Sequence, residues 1–254
     1  MLTNSKIKEI KNLQSKSKAR REAGLFIIEG VKLFLEAPAE RIEEVYITED
    51  ILGKANVSEK LATLNYEIVS YEQLKKISDT ETPQGVLCLV RMYDYSIDEI
   101  LVEKSKCLYM VLEDIQDPGN LGTIIRSGEA AGVSGIIMSK GTVDIYNPKV
   151  IRATMGSIYR VPFVYTEDII NAIRLLQSAS IEVYAAHLKG EKAYDEIIYD
   201  RSAFLIGNEG NGLREETANA ADTYIKIPMQ GQVESLNAAI AATVLMFEHA
   251  RQSR

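Results

Sequence analysis

The chain has 254 residues, 46% hydrophobic and 26% charged, with a formal net charge of −7, enough apolar material for one large domain or two ordinary ones. No apolar run approaches the roughly 20 residues that cross a bilayer. The basic N-terminus also lacks the apolar stretch of a secretory signal, so a cytoplasmic protein without a membrane is expected. Cys88 and Cys107 lie in strand-like apolar runs, and only His187 and His249 are available as histidines. Two buried thiols are the expectation, and no metal site.

Charge is unevenly spread. Residues 1–22 carry Lys6, Lys8, Lys11, Lys16, Lys18, Arg20 and Arg21 against Glu9 and Glu22, a balance of +5 that leaves −12 for the rest. A basic arm on an acidic body is a pattern for phosphate contact, and equally for a solvated terminal helix with no partner. After it come the strand GLFIIEG, a helical VKLFLEA, the strand VYIT, a helix over 56–64, the strand YEIVS, the helix YEQLKKIS and the strand GVLCLVRM. This alternation predicts a small layered α/β domain over 1–92. Residues 93–106, polar and acidic, read as a linker with room for a short helix.

A second domain is expected over 107–254. CLYMVLE (107–113) is an almost continuous apolar strand of the buried parallel type. Pro118 and Gly119 then break the chain, Asn120 is expected to cap a helix, and Arg126 lies nearly two turns along it. GIIMS, a helix started by Pro148, VPFVY, a helix over 167–179, EVYAAH and FLIG continue the alternation. The expected architecture is a mostly parallel sheet covered on both faces.

Two turns near the end could carry chemistry. GNEGNG (207–212) has its glycines as G-x-x-G-x-G, the wrong spacing for the dinucleotide fingerprint, and there is no Walker-type lysine. Three glycines let backbone N–H and C=O groups approach a ligand closely. Glu209 among them would repel phosphate and suits a neutral or cationic ligand, although a tight turn with a solvated glutamate explains the motif alone just as well. Ser235 is expected to cap the last helix, Leu236 to Phe247, which is apolar nearly all round. Such a helix is either wholly buried or pressed against a second subunit. Asn237 on it is a core hydrogen bond or a site residue.

Three ordered blocks, DPGNLGTIIRS, IGNEGNGL and IPMQGQVESLNAAIAA, together resemble the SpoU (TrmH-like) family of RNA ribose 2′-O-methyltransferases within the SPOUT superfamily. Their order and spacing cover essentially all of 107–254. RREAGLFIIEG and TPQGVLCLV resemble, more loosely, the substrate-binding domain that precedes the catalytic domain in many members.

The resemblance implies an α/β SPOUT fold with a parallel sheet and a C-terminal trefoil knot, which strand periodicity does not indicate and general topology rules disfavour. A small ribosomal-protein-like α/β domain would precede it. It implies S-adenosylmethionine held mainly by backbone groups around Gly207, Asn208, Gly210 and Gly212, with Ile227, Met229 and Leu236. It implies a homodimer with sites at the subunit interface, and RNA as substrate, rRNA in preference to tRNA. By the same carry-over, Arg126 serves the reacting 2′-hydroxyl. Arginine stays protonated, so its expected role is to hold the adjacent phosphate and stabilise a developing alkoxide. Asn120 would orient Arg126 or the ribose, Glu209 would position the loop, and Ser235 with Asn237 would set the substrate pocket. Lys16, Lys18, Arg20 and Arg21 are the expected RNA contacts of the arm. The chain departs from the family at Ala239, where a serine is common, and altered RNA contacts are expected there. A base-methylating SPOUT enzyme and a non-catalytic RNA-binding or ribosome-assembly protein remain as alternatives.

Overall fold

The computed structural model describes residues 2–101 and 105–254, and forms two compact units, Met1–Tyr93 with Asp144–Tyr159, and Asp94–Val143 with Arg160–Arg254. The units are not separated by a single cut in the sequence, because 144–159 groups with the first. Within the 93–106 linker, residues 102–104 lie outside the described residues.

The first unit runs α1 (Asn4–Ser15), α2 (Ser17–Ala23), β1 (Leu25–Glu29), α3 (Val31–Glu36), β2 (Ile42–Ile47), α4 (Glu49–Leu52), α5 (Ala55–Leu61), β3 (Tyr66–Ile68), α6 (Tyr71–Ile77) and β4 (Val86–Arg91). Its sheet has the order β1-β4-β2-β3, with β4 antiparallel to both neighbours and β3 parallel to β2. The basic arm is helical because Thr3 caps α1, and Ile10 and Leu13 fall on one face and are buried against Leu74, Ile77 and Leu89. Gly24 ends α2 at φ 67, a conformation glycine enters without strain.

The second unit runs α7 (Ile97–Ile100), β5 (Cys107–Leu112), α8 (Pro118–Ala131), β6 (Gly135–Ser139), β7 (Phe163–Thr166), α10 (Ile169–Ser178), β8 (Glu182–Ala186), β9 (Lys192–Ala193), β10 (Arg201–Ile206), α11 (Glu215–Asn219), β11 (Thr223–Lys226) and α12 (Ala238–Gln252), while α9 (Pro148–Thr154) belongs to the first unit. Its seven strands, in the order β7-β6-β5-β10-β8-β11-β9, are all parallel. The parallel sheet is as expected; β9 is an addition that its two residues do not announce.

Strands buried on both faces explain why β5 is apolar at every position. Alternate residues divide between the faces. Tyr109, Val111, Ala203 and Leu205 pack with Ile173 and Leu176 of α10. Phe204 faces the other way and joins Tyr199, which in turn meets His249 of α12. α12 lies against α8, where Thr243 Oγ1 and Ser127 Oγ are 3.1 Å apart. Because every strand runs the same way, the loops after β5, β10, β8 and β11 gather at one edge. β6 and β7 extend the sheet on one side of β5, and β10 and β8 on the other. That reversal of strand order is where open α/β sheets leave a ligand crevice.

Two helix starts differ from expectation. Asp117, not Asn120, caps α8: its carboxylate accepts the Asn120 N–H at 2.8 Å, and Pro118 takes the first helical position, where no N–H is needed. Asn237, not Ser235, caps α12, its Oδ1 accepting from Ala239 and Ile240. The last helix therefore begins two residues later than Leu236 and runs on to Gln252, and Ser235 is an exposed loop residue.

Candidate cofactor and catalytic site

The turn after β10 is held by its own backbone and by the Asn208 side chain. Asn208 and Gly212 exchange N–H···O bonds of 3.0 and 2.8 Å, folding the loop back on itself. A Cβ on Gly207 would lie 2.1 Å from both Gly212 C and Leu213 N, so no side chain fits there. Gly212 sits at φ 70, in the left-handed region. Asn208 Oδ1 accepts from the amides of Gly210 and Asn211, and its Nδ2 donates to Asp114 O at 2.8 Å. Gly210 is open: its Cβ would meet only Asn208 Oδ1, at 3.6 Å.

Glu209 leaves this turn and reaches the start of α8. Its Oε2 accepts from Gln116 N (3.0 Å), and its Oε1 from Asp117 N (3.0 Å) and Asn120 Nδ2 (2.9 Å). Asn120 Oδ1 in turn accepts from Asn237 Nδ2 at 2.9 Å. One residue from each of the three blocks is thus tied into a single chain, Asn237–Asn120–Glu209. Burial pushes the Glu209 carboxyl up, but the bonds from Asn120 and from the Gln116 and Asp117 amides outweigh it and hold it below the usual carboxylate range.

The remaining expected residues are not members of this hydrogen-bonded chain. Ile227 and Met229 follow β11 and are half-buried, alternating with exposed Pro228 and Gln230; Leu236 is half-buried too. Arg126 is exposed on α8, roughly 9 Å along the axis and about 120° around it from Asn120. Asn120 therefore does not orient it by direct contact within one subunit. Ala239 is only 2% exposed, so the methyl that replaces the common serine points into the protein and not toward RNA.

On the basic arm, Lys16, Lys18 and Arg21 are exposed. Arg20 is not available to a phosphate. Its Nη2 pairs with Asp144 at 2.5 Å, its Nη1 donates to Leu13 O and Gln14 O, and its side chain is 4% exposed. Arginine and lysine look alike in a charge run; burial separates them only in three dimensions.

Sequence reasoning missed Glu113, Asp114, Asp117 and Arg214. Asp117 had a signal, an aspartate directly before a helix-opening proline. Glu113 had none, because a carboxylate ending an apolar strand reads as the strand's exit to solvent. Among the described residues, no group of three His, Cys, Asp or Glu could hold a metal, and no helix is long and apolar enough to cross a membrane.

Comparison with known proteins gives the family. Residues 107–247 match the SpoU rRNA Methylase family and residues 4–88 an MRM3-like substrate binding domain. The 23S rRNA (guanosine(2553)-2'-O)-methyltransferase RlmP of Bacillus subtilis is 33% identical over 248 residues, 96% of this chain and 95% of that one. The SpoU methyltransferase AviRb from Streptomyces viridochromogenes, solved in complex with AdoMet, superposes with a TM-score of 0.88 at 25% identity, over 99% of this chain and 98% of that one. An AdoMet-bound rRNA methyltransferase from Sinorhizobium meliloti gives a TM-score of 0.85 at 33% identity, over 99% and 96%. With the three blocks brought together by their own side chains and residues 107–247 matched, the chain belongs to the SpoU rRNA methylase family.

Proposed function

We propose that this protein is an S-adenosylmethionine-dependent methyltransferase that modifies a ribose 2′-hydroxyl of rRNA. The observation that carries this reading is the hydrogen-bonded chain Asn237–Asn120–Glu209, which joins the family's three blocks at the crevice between β5 and β10. S-adenosylmethionine, when bound, supplies an electrophilic methyl group and leaves as a neutral thioether, so no general acid is required. The backbone of Gly207 to Gly212 with Ile227, Met229 and Leu236 fits that group: polar main-chain atoms, apolar side chains, and one carboxylate, on Glu209, on the side of a cation. The deep trefoil knot of the family belongs to the same reading.

Arg126 holds the phosphate beside the target ribose and stabilises negative charge growing on the 2′-oxygen. Asn120 and Asn237, fixed by each other, hold the ribose, and Ser235 borders the substrate pocket. The protein works as a cytoplasmic homodimer. Exposed Ile240 and Phe247, 49% and 43% accessible, lie seven residues apart on one side of α12 with half-buried Val244 between them, an apolar stripe suited to a second copy. Residues 1–92 bind the RNA, with Lys16, Lys18 and Arg21 on phosphates.

The test is transfer of radiolabel from S-adenosylmethionine to unmodified rRNA or tRNA, followed by alkaline digestion. Label in an alkali-resistant dinucleotide of rRNA is the expected result, because a 2′-O-methyl group removes the nucleophile of RNA hydrolysis. Label in mononucleotides points to a methylated base and overturns the ribose reading, and tRNA as the only labelled RNA overturns the substrate. Arg126→Lys keeps the charge but not the planar fork, and should lower kcat by about a hundredfold or more without changing the melting temperature. A near-wild-type rate would remove Arg126 from the mechanism.

A further inference from the structure

The two residues that follow β5 grip the glycine turn through contacts separate from those of Glu209. Glu113 is 1% exposed, yet its carboxylate is fully engaged: Oε2 accepts from the backbone N–H of Arg214 at 2.7 Å, and Oε1 accepts from Thr217 Oγ1 and forms an ion pair with Arg214 Nε at 3.0 Å. Its own amide donates to Ile206 O at 2.9 Å, so it stands directly beside the last residue of β10. Asp114, next along, sits at φ 55, uncommon for a residue with a side chain. Its carbonyl accepts from Asn208 Nδ2 at 2.8 Å, and its carboxylate accepts from Ser139 Oγ at 2.7 Å and from Arg214 Nη2 at 3.2 Å. The entry to the turn at Asn208 is thus held by Asp114, and its exit at Arg214 by Glu113.

We propose that Glu113 is a positioning residue for the S-adenosylmethionine pocket, acting through Arg214; this rests on the cofactor reading above. The reasoning starts from what the turn lacks. Gly207, Gly210 and Gly212 have no side chains to pack, so the positions of their N–H and C=O groups are set by how the ends of the turn are anchored. The exit anchor is a buried carboxylate gripping the main chain as well as the guanidinium of one residue, a geometry that fixes both position and direction. A shift of about 1 Å at that anchor moves every backbone group lining the pocket, and misplacement of that size is costly in cofactor binding. Arg214 itself is half-exposed, so its side chain is not needed to fill the core. It bridges Glu113 and Asp114, and so couples the exit of the turn to its entry.

The test is Glu113→Gln, which keeps shape and volume but turns one oxygen into a donor that faces either the Arg214 backbone N–H or the Arg214 guanidinium, while the Thr217 hydroxyl can rotate to accept. The dissociation constant and KM for S-adenosylmethionine should rise about tenfold or more. KM for RNA, and kcat at saturating S-adenosylmethionine, should stay within about twofold. Arg214→Ala keeps the backbone bond to Glu113 and loses only the fork, and should raise the same KM by a smaller factor, about threefold. Should Glu113→Gln fail to fold, Arg214→Ala decides alone. An unchanged S-adenosylmethionine affinity in the folded variants, or a parallel loss of kcat and of both affinities, would overturn the inference while leaving the methyltransferase assignment standing. Absence of binding by the wild-type protein would overturn that assignment and this inference with it.

Discussion

Glu209→Gln tests whether the contacts of Glu209 order the start of α8. In the wild type, one carboxylate serves three donors: Gln116 N–H on Oε2, and Asp117 N–H with Asn120 Nδ2 on Oε1. A glutamine can turn its oxygen toward Asp117 and Asn120, but its NH2 group then faces the Gln116 N–H, donor against donor. A bond to a charged acceptor is worth roughly 1.5–3 kcal/mol. Glu209 is exposed, so water takes up part of that loss, and about 1 kcal/mol is the reasonable cost. That corresponds to roughly a fivefold change in the local opening equilibrium. Amide hydrogen exchange reads it directly. The Gln116 amide should lose about fivefold in protection at neutral pH, while the amides of β5 keep theirs. Acid supplies the second half of the test. The folded Glu209 carboxyl is held below its ordinary range, so its ionised form stabilises the contacts fully above the unfolded value of about 4.3. This stabilisation is lost as pH falls through the lower folded value. The gap between wild type and variant should therefore close on acidification. Equal protection at neutral pH, or a gap that stays constant in acid, would refute the reasoning.

Gly207→Ala places a Cβ 2.1 Å from two backbone atoms that cannot give way, and should cost about 2 kcal/mol or more and abolish S-adenosylmethionine binding by calorimetry. Gly210→Ala, with only Asn208 Oδ1 at 3.6 Å, should fold with a wild-type melting temperature. Arg20→Ala strands Asp144 and two helix carbonyls, and thermal unfolding should show a loss of about 3 kcal/mol. Alanine at Lys16, Lys18 or Arg21 should leave stability within about 0.5 kcal/mol, while each lowers RNA affinity and flattens its salt dependence by about one unit of slope. Phe247→Asp should convert a sedimenting dimer to monomer without unfolding the chain; an unaltered dimer would move the interface off α12.

Legibility in the sequence followed the range of the interactions involved. Strands such as CLYMVL declare themselves because both faces of a parallel strand are covered, and the glycine turn declares itself because φ 70 favours glycine at Gly212 and a 2.1 Å approach leaves no other residue type at Gly207. These are local facts about a residue and its nearest chain. The caps of α8 and α12 were misplaced by two or three residues because Asp117 against Asn120, and Asn237 against Ser235, differ only in which side chain bends back on the helix. Arg20 and Glu113 were illegible for a different reason. Each is a charged residue in a charged or strand-ending stretch, and each is buried by a partner more than a hundred positions away, Asp144 for one and Arg214 for the other. Burying a charge is costly unless its partners are all in place, so such residues mark where the fold is most exacting. Asn120 unites the two cases. Its backbone N–H closes the local cap on Asp117, and its side chain joins Glu209 and Asn237, 89 and 117 residues further along the chain. The first role follows from the spacing D-P-G-N. The second exists only once a seven-stranded parallel sheet has brought the ends of β5 and β10 together, and it is the second that makes the site.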